Sequence, residues 1–342
     1  MKIENIHIDG VRSIDTLDLS LIDKNTGLPH NVILLVGENG TGKSTILDSV
    51  VCCLTIFRSS YGGNILTSED ITNGNNTASI TINFILNEDE SKLYNQNNKG
   101  NLSYKLINGQ WYDEATSNTL TLNNLPNNNG NVMYFDAHRL IPKEKIKGPN
   151  NDFDNPKYFN DRSLMPSFIQ TMQNRFQHTK QWLVNIDYKE AKLYRSDQED
   201  SELLNNVMEA FNMLYEPYSF SKISYKSEIL FNTPHGEVEI SYLSDGMKSI
   251  FSILGDILFR FSLPYIDQDE IDINEMLNTE AIILIDEIEC HLHPKWQLRI
   301  IPALRKLFPN AQFIITTHSP LIVKSVRPDE IVILGGGIID SE

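Results

Sequence analysis

Short apolar runs separated by polar breaks fill residues 1–36: KIENIHI, DTLDLSL and NVILLV. The first two alternate, as strands with one buried face do. The third is apolar throughout, the pattern of a strand covered on both faces in an α/β sheet. TILDSVVCCLTIF follows, with Ile46, Leu47, Val50, Val51 and Leu54 at the spacing of one helix face. ASITINFIL (78–86) alternates again and predicts a half-exposed antiparallel strand.

The stretch from Asn95 to Asn131 is crowded with asparagine and glycine, which predicts short strands (SYKLING, QWYDE) joined by turns. NVMYFDAHR (131–139) is an apolar strand ending in polar residues, and 163–215 carries helical spacing in segments too short and irregular for a long coiled coil. The last third returns to an α/β rhythm. KSIFSILGDILFRF predicts an amphipathic helix, AIILIDE a buried strand, WQLRIIPALRKLF a helix, AQFIITTHS a strand and EIVILGG a final strand. Such alternation predicts a mostly parallel sheet flanked by helices. With α/β stretches at both ends, the middle reads as an insertion into one core.

The 342 residues, 40% of them hydrophobic, suffice for one large domain or two modest ones. Cys52, Cys53 and Cys290 form no CxxC pair, the opening is a strand rather than a signal peptide, and no apolar run is long enough to span a membrane. The expectation is a soluble cytoplasmic protein with reduced thiols and no membrane partner. Twenty-nine basic against 45 acidic residues give a net charge of −16, whose mean field repels polyanions. Nucleic acid is therefore expected only through a larger complex. The short basic cluster PKEKIKG (142–148) reads as a solvated loop.

Candidate chemistry begins at GENGTGKST (37–45), which fits G-x-x-x-x-G-K-[ST] between a buried strand and a helix. Glycines let backbone N–H groups turn inward as an anion nest, and the helix N-terminus adds its positive end. Gly37, Glu38, Asn39, Gly40, Thr41, Gly42, Lys43, Ser44 and Thr45 are the predicted ATP-binding segment, with Lys43 facing the β- and γ-phosphates and Ser44 a ligand for Mg²⁺. AIILIDE delivers Asp286, the second expected Mg²⁺ contact, and Glu287, expected to polarise the attacking water, at the strand end where α/β sheets bind ligands. His318 ends a third strand and is expected at the γ-phosphate. Once these are assigned, spacing alone gives the remaining Asp, Glu and His no second metal cluster.

This ordered set resembles the ABC-type ATPases, in particular their soluble branch with the SMC/RecF-like and overcoming-lysogenization-defect proteins. IHIDGVRSIDTLDLSL before ILLVGENGTGKST resembles that branch's N-terminus, and LSDGMKS its signature motif, with Asp245 where transporters usually carry glycine. LSDGMKSIFSILGDILFRF, LIDEIECHLHPKWQ and FIITTHSPLIV are most similar to stand-alone bacterial ATPases such as the ATPase subunit of the Septu anti-phage defence system.

The resemblance implies an α/β fold, an ABC-type P-loop ATPase head with a mixed sheet core, an antiparallel β subdomain and a helical second lobe. It implies one domain over 1–342, with 1–135 the N-terminal part of the nucleotide-binding lobe, 136–240 a mainly helical insertion and 241–342 the signature motif and C-terminal part. Ser244, Asp245 and Gly246 would cap the γ-phosphate held by a second protomer in a head-to-tail dimer. His291 and His293 would lie in the dimer-facing D-loop, and Asp136, His138 and Arg139 fall where the Q-loop glutamine is expected. A separate nuclease is the implied partner, as some of these ATPases act beside one. Trp182, Tyr188 and Tyr194 either dock that partner or pack the second lobe. The same residues also suit a slow nucleotide-sensing scaffold or a RecF-like DNA-repair ATPase; a transporter subunit fits them less well.

Overall fold

The computed structural model describes residues 1–55, 66–72, 75–86, 99–107, 110–113, 132–137, 148–149, 172–193, 202–265 and 272–335. A five-stranded antiparallel sheet in the order β2-β1-β4-β5-β6 joins β1 (Lys2–Val11), β2 (Ile14–Ser20), β4 (Thr77–Ile85), β5 (Lys99–Ile107) and β6 (Gln110–Asp113). The strict alternation of β4, with Ala78, Ile80, Ile82 and Phe84 buried, turns one face of this sheet inward.

The central sheet is parallel, in the order β13-β3-β12-β11-β7. It joins β3 (Val32–Gly37), β7 (Val132–Phe135), β11 (Ile282–Ile285), β12 (Gln312–Thr317) and β13 (Ile331–Leu334). Its strands are apolar on both faces because each face supports its own core. Ile33, Leu35, Ile282, Leu284 and Ile314 pack toward α1 (Lys43–Thr55) and the antiparallel sheet. Leu34, Met133, Phe135, Ile283, Ile285, Phe313 and Ile315 pack toward the helical side. There lie α2 (Met172–Leu193), α3 (Glu202–Tyr215) and α4 (Asp245–Ser262). Period-two alternation along each strand thus divides the molecule into two cores sharing one sheet.

Helix α4 runs through the helical core, where Phe251 sits 5.5 Å from Phe176 and 4.9 Å from Phe211, ring centre to ring centre. Losing one such aromatic costs about 3–5 kcal/mol. Trp182, one of the two candidate docking aromatics that fall among the described residues, is buried against Phe259 at 5.9 Å, whereas Tyr188 is exposed; Tyr194 lies outside the described residues.

Two features depart from the hydrophobic pattern. Residues 219–239 form a three-stranded antiparallel sheet, β8 (Ser219–Ile223), β9 (Ile229–Thr233) and β10 (Gly236–Glu239). A register shift between Phe220 and Lys222 breaks the alternation that would announce it. The segment read as one helix after Trp296 is two: α6 (Pro294–Gln297) and α7 (Ile300–Leu307), with α5 (Ile273–Leu277) before them and α8 (Pro320–Val323) after. The break frees Gln297, whose Oε1 accepts from Ser319 at 2.6 Å while its Nε2 donates to the Leu292 carbonyl at 2.9 Å. Among the described residues no helix is long and apolar enough to cross a membrane. Burial pushes the Cys52 thiol up to about 12, so it stays protonated and inert near neutrality.

Candidate functional site

The phosphate-loop candidates leave the C-terminal end of β3 and enter α1. Gly40 and Gly42 have φ of 83° and 92°, a region open chiefly to glycine. A Cβ on Gly37 would stand 2.5 Å from the Leu334 carbonyl oxygen and 2.6 Å from Thr41 Oγ1, so the loop needs a bare backbone there too. Glu38, Asn39 and Gly40 are exposed, Thr41 is half-buried with its hydroxyl donating to the Glu38 carbonyl at 2.9 Å, and Thr45 is buried. The Lys43 ammonium curls over the loop and donates to the carbonyls of Gly37 at 2.8 Å and Glu38 at 2.7 Å. Burial lowers its pKa below the ordinary range, while Glu287, Asp286 and Glu289 pull the other way. This is a bare cradle with one buried cation at a helix N-terminus, a shape that suits a polyphosphate.

Parallel pairing sets the neighbouring strand ends level with this loop. Asp286 follows β11, held by its N–H donating to the Phe135 carbonyl at 2.8 Å. Its carboxylate accepts from Ser44 Oγ at 2.8 Å and from Thr316 Oγ1 at 2.5 Å. The hydroxyl of Ser44, in the first turn of α1, and the carboxylate of Asp286, just after β11, are hard oxygen donors that face each other, a set that fits Mg²⁺. Thr316 also accepts the Glu287 N–H at 2.7 Å. One buried hydroxyl thereby orients both acidic residues.

Glu287 has φ of 45°, rare for a non-glycine residue and worth on the order of 1–3 kcal/mol of strain. The turn is pinned from both sides: Ile288 N–H donates to the Thr316 carbonyl at 3.2 Å and Cys290 N–H to the Glu287 carbonyl at 2.9 Å. The Glu287 carboxylate accepts from Cys290 Sγ at 3.2 Å and lies 3.8 Å from His318 Nε2. His318 itself is steered by Glu289, which accepts the His318 N–H at 2.5 Å and the Thr317 hydroxyl at 2.7 Å. Hydrogen bonds thus gather Ser44, Asp286, Thr316 and Glu287, with His318 3.8 Å from the Glu287 carboxylate and Lys43 in the field of the acidic residues.

The Ser244 turn reaches this neighbourhood by packing instead. Ser244 caps α4, its Oγ accepting the Met247 N–H at 3.4 Å, and Asp245 pairs with Lys248 at 2.6 Å. Gly246 presses so closely on the His291 carbonyl that no side chain fits there. Ser244 and Asp245 are exposed, and neither Ser244 nor Gly246 hydrogen-bonds to the phosphate loop among the described residues. His291 has φ of 65° and is exposed, while His293 caps α6 through Nδ1, which accepts the Lys295 N–H at 3.3 Å. Asp136 follows β7, half-buried; His138 and Arg139 lie outside the described residues.

Sequence reasoning passed over Thr316, Glu289 and Cys290. Two hydroxyls inside the buried strand FIITTHS were a usable signal, because buried polar groups must find partners.

The family described as "AAA domain, putative AbiEii toxin, Type IV TA system" matches residues 120–324. The chain belongs to this family. Its similarity to curated relatives runs nearly end to end. The probable ATPase of retron Vc95 from Vibrio cholerae serotype O1 biovar El Tor is 26% identical over 98% of this chain and 73% of its own length. The probable ATPase of retron Ec83 from Escherichia coli is 25% identical over 98% and 72%, and the Septu protein PtuA of Bacillus thuringiensis 25% over 98% and 76%. A Smc head solved with the C-winged helix domain of ScpA superposes with a TM-score of 0.54 at 17% identity, covering 97% of this chain and 94% of that one. An Smc head with an extended coiled coil derived from Pyrococcus furiosus gives 0.53 at 16%, covering 97% and 93%. The fold of this AAA-family chain is an ABC-type P-loop ATPase head.

Proposed function

We propose that the chain binds and hydrolyses ATP with Mg²⁺, forms a head-to-tail dimer around two nucleotides, and uses that cycle to control a separate nuclease in anti-phage defence. The observation that carries the first step is the Ser44–Asp286–Thr316–Glu287 hydrogen-bond chain, which joins the start of α1 to the ends of β11 and β12. Lys43 releases the two loop carbonyls and turns its charge to the β- and γ-phosphates. Ser44 and Asp286 would hold Mg²⁺, which would supply positive charge to offset the phosphates. Glu287 accepts a proton from the water that attacks the γ-phosphorus as the bond to the β–γ bridging oxygen breaks and ADP leaves, and His318, 3.8 Å from that carboxylate, donates to a γ-phosphate oxygen. Ser244 is exposed at the N-terminus of α4, with Gly246 behind it, which supports a role for this turn at a partner's γ-phosphate. Here 1–135 and 241–342 form the nucleotide-binding lobe and 136–240 the lobe inserted between them.

The defence role rests on the resemblance to Septu ATPases, with which retron and Septu relatives agree; a nuclease partner is inferred from that resemblance alone.

Glu287→Gln tests the chemistry. The amide keeps the shape but accepts no proton, so ATP affinity should hold while turnover falls by about 10²–10⁴-fold. A variant that hydrolyses ATP at the parent rate removes Glu287 from the reaction.

A further inference from the structure

We propose a second metal site, at the end of the parallel sheet opposite the phosphate loop, in which Asp23, His30 and Asp329 bind a first-row transition-metal dication. One carboxylate oxygen from each aspartate and one ring nitrogen of His30 lie within 4.8 Å of one another. Asp23 and His30 flank the turn between β2 and β3, and Asp329 sits in the Pro328–Glu330 turn that leads into β13. Because β3 and β13 are parallel neighbours, their N-terminal ends bring these residues together from opposite ends of the chain. That explains why sequence spacing shows no such cluster.

His30 supplies the second, independent observation. It is 5% exposed, yet its Nδ1 is buried with no hydrogen-bond partner. Burying an unpaired polar nitrogen is costly, and a metal ion is one of the few groups that satisfies it without a proton. The ligand set is held in advance. His30 donates its N–H to the Leu21 carbonyl at 2.8 Å, and its own carbonyl accepts from the buried Gln312 side chain at 3.2 Å. Asp23 accepts the Asn25 N–H at 2.8 Å, the main reason its carboxyl sits below the ordinary range and stays ionised.

The chief competitor is Arg327, whose Nε lies 3.8 Å from Asp329 Oδ1. That is beyond a hydrogen bond, and Arg327 is engaged by Glu330 at 2.9 Å. Two carboxylates and an imidazole suit Zn²⁺ or Mn²⁺ better than Mg²⁺. Tetrahedral bonding draws ligand atoms to about 3.4 Å apart, a closure of less than about 1 Å for each. The length of β3 sets this site about 20 Å from Ser44 and Asp286, so the two can be distinguished. A bound ion would tie the β2–β3 turn to edge strand β13.

Chelator-treated, nucleotide-free full chain is titrated with Zn²⁺, Mn²⁺ and Mg²⁺ by calorimetry and thermal unfolding. Saturable binding of one Zn²⁺ or Mn²⁺ per chain with a raised Tm is expected. Asp329→Asn, at an exposed position that leaves the core intact, should weaken that binding by about 100-fold, and His30→Gln should abolish it. Asp286→Asn should leave it unchanged. Absence of saturable Zn²⁺ or Mn²⁺ binding overturns the site. So does binding that survives Asp329→Asn, or binding lost in Asp286→Asn, which would assign the ion to the nucleotide loop.

Discussion

At the scale of single residues, the site depends most on a side chain with no chemistry of its own. Thr316 is fully buried, donates to the Asp286 carboxylate and accepts the Glu287 N–H. A hydroxyl is the smallest group able to do both at once. Thr316→Val keeps volume and β-branching but removes both bonds, leaving a buried carboxylate one donor short and an N–H unpaired. That should destabilise the protein by about 1–3 kcal/mol. Because Asp286 and Glu287 would lose their common reference, ATP turnover should fall further than ATP affinity. Denaturant unfolding with steady-state kinetics checks both, and a variant with parental kcat would reduce Thr316 to a packing residue.

At the scale of elements, legibility followed burial symmetry. The strands of the parallel sheet were readable because both faces are covered and whole runs are apolar. The loop between β3 and α1 was readable because its glycines and lysine are needed at fixed spacing. The sheet over 219–239 was not, since its strands are short and one carries a register shift. Nor was the α6–α7 break, where Gln297 meets Ser319 across the fold. The same holds at the site: Lys43, Ser44, Asp286, Glu287 and His318 could be listed in advance, but the hydroxyl and carboxylate that aim them are defined only by contact. The seat of α4 was equally hidden. Gly246 lies against the His291 carbonyl, in the turn that follows Glu287, so helix start and acidic turn are one packed unit. Gly246→Ala must push them apart, at about 1–3 kcal/mol as for other overpacked contacts. Tm should drop by several degrees, and an unchanged Tm would mean that the turn yields freely.

At the scale of the whole molecule, the proposed head-to-tail dimer would complete each nucleotide site with the Ser244 turn of the other chain. Lys43 and Ser44 open α1 beside Asp286 at the end of β11, while Ser244 caps α4 with its side chain exposed. If two copies pair head to tail, each phosphate loop faces the Ser244 turn of the other. Ser244→Arg should leave ATP binding intact, because the loop of the same chain is untouched, yet block hydrolysis by driving a long side chain against the partner's nucleotide. Lys43→Ala should weaken binding by at least about 10- to 150-fold, enough to leave its own site empty at limiting ATP, because a charge-assisted contact of about 1.5–3 kcal/mol or more is lost. Each variant alone is then inactive. A mixed dimer has one site carrying both changes and one carrying neither, since the Ser244→Arg chain supplies an intact loop and the Lys43→Ala chain an intact cap. Mixing the two purified variants should restore part of the parental ATPase rate, with a maximum near equal proportions. A rate that stays at background across all mixing ratios, while the chains demonstrably exchange, would sink the head-to-tail dimer and leave each chain to work alone.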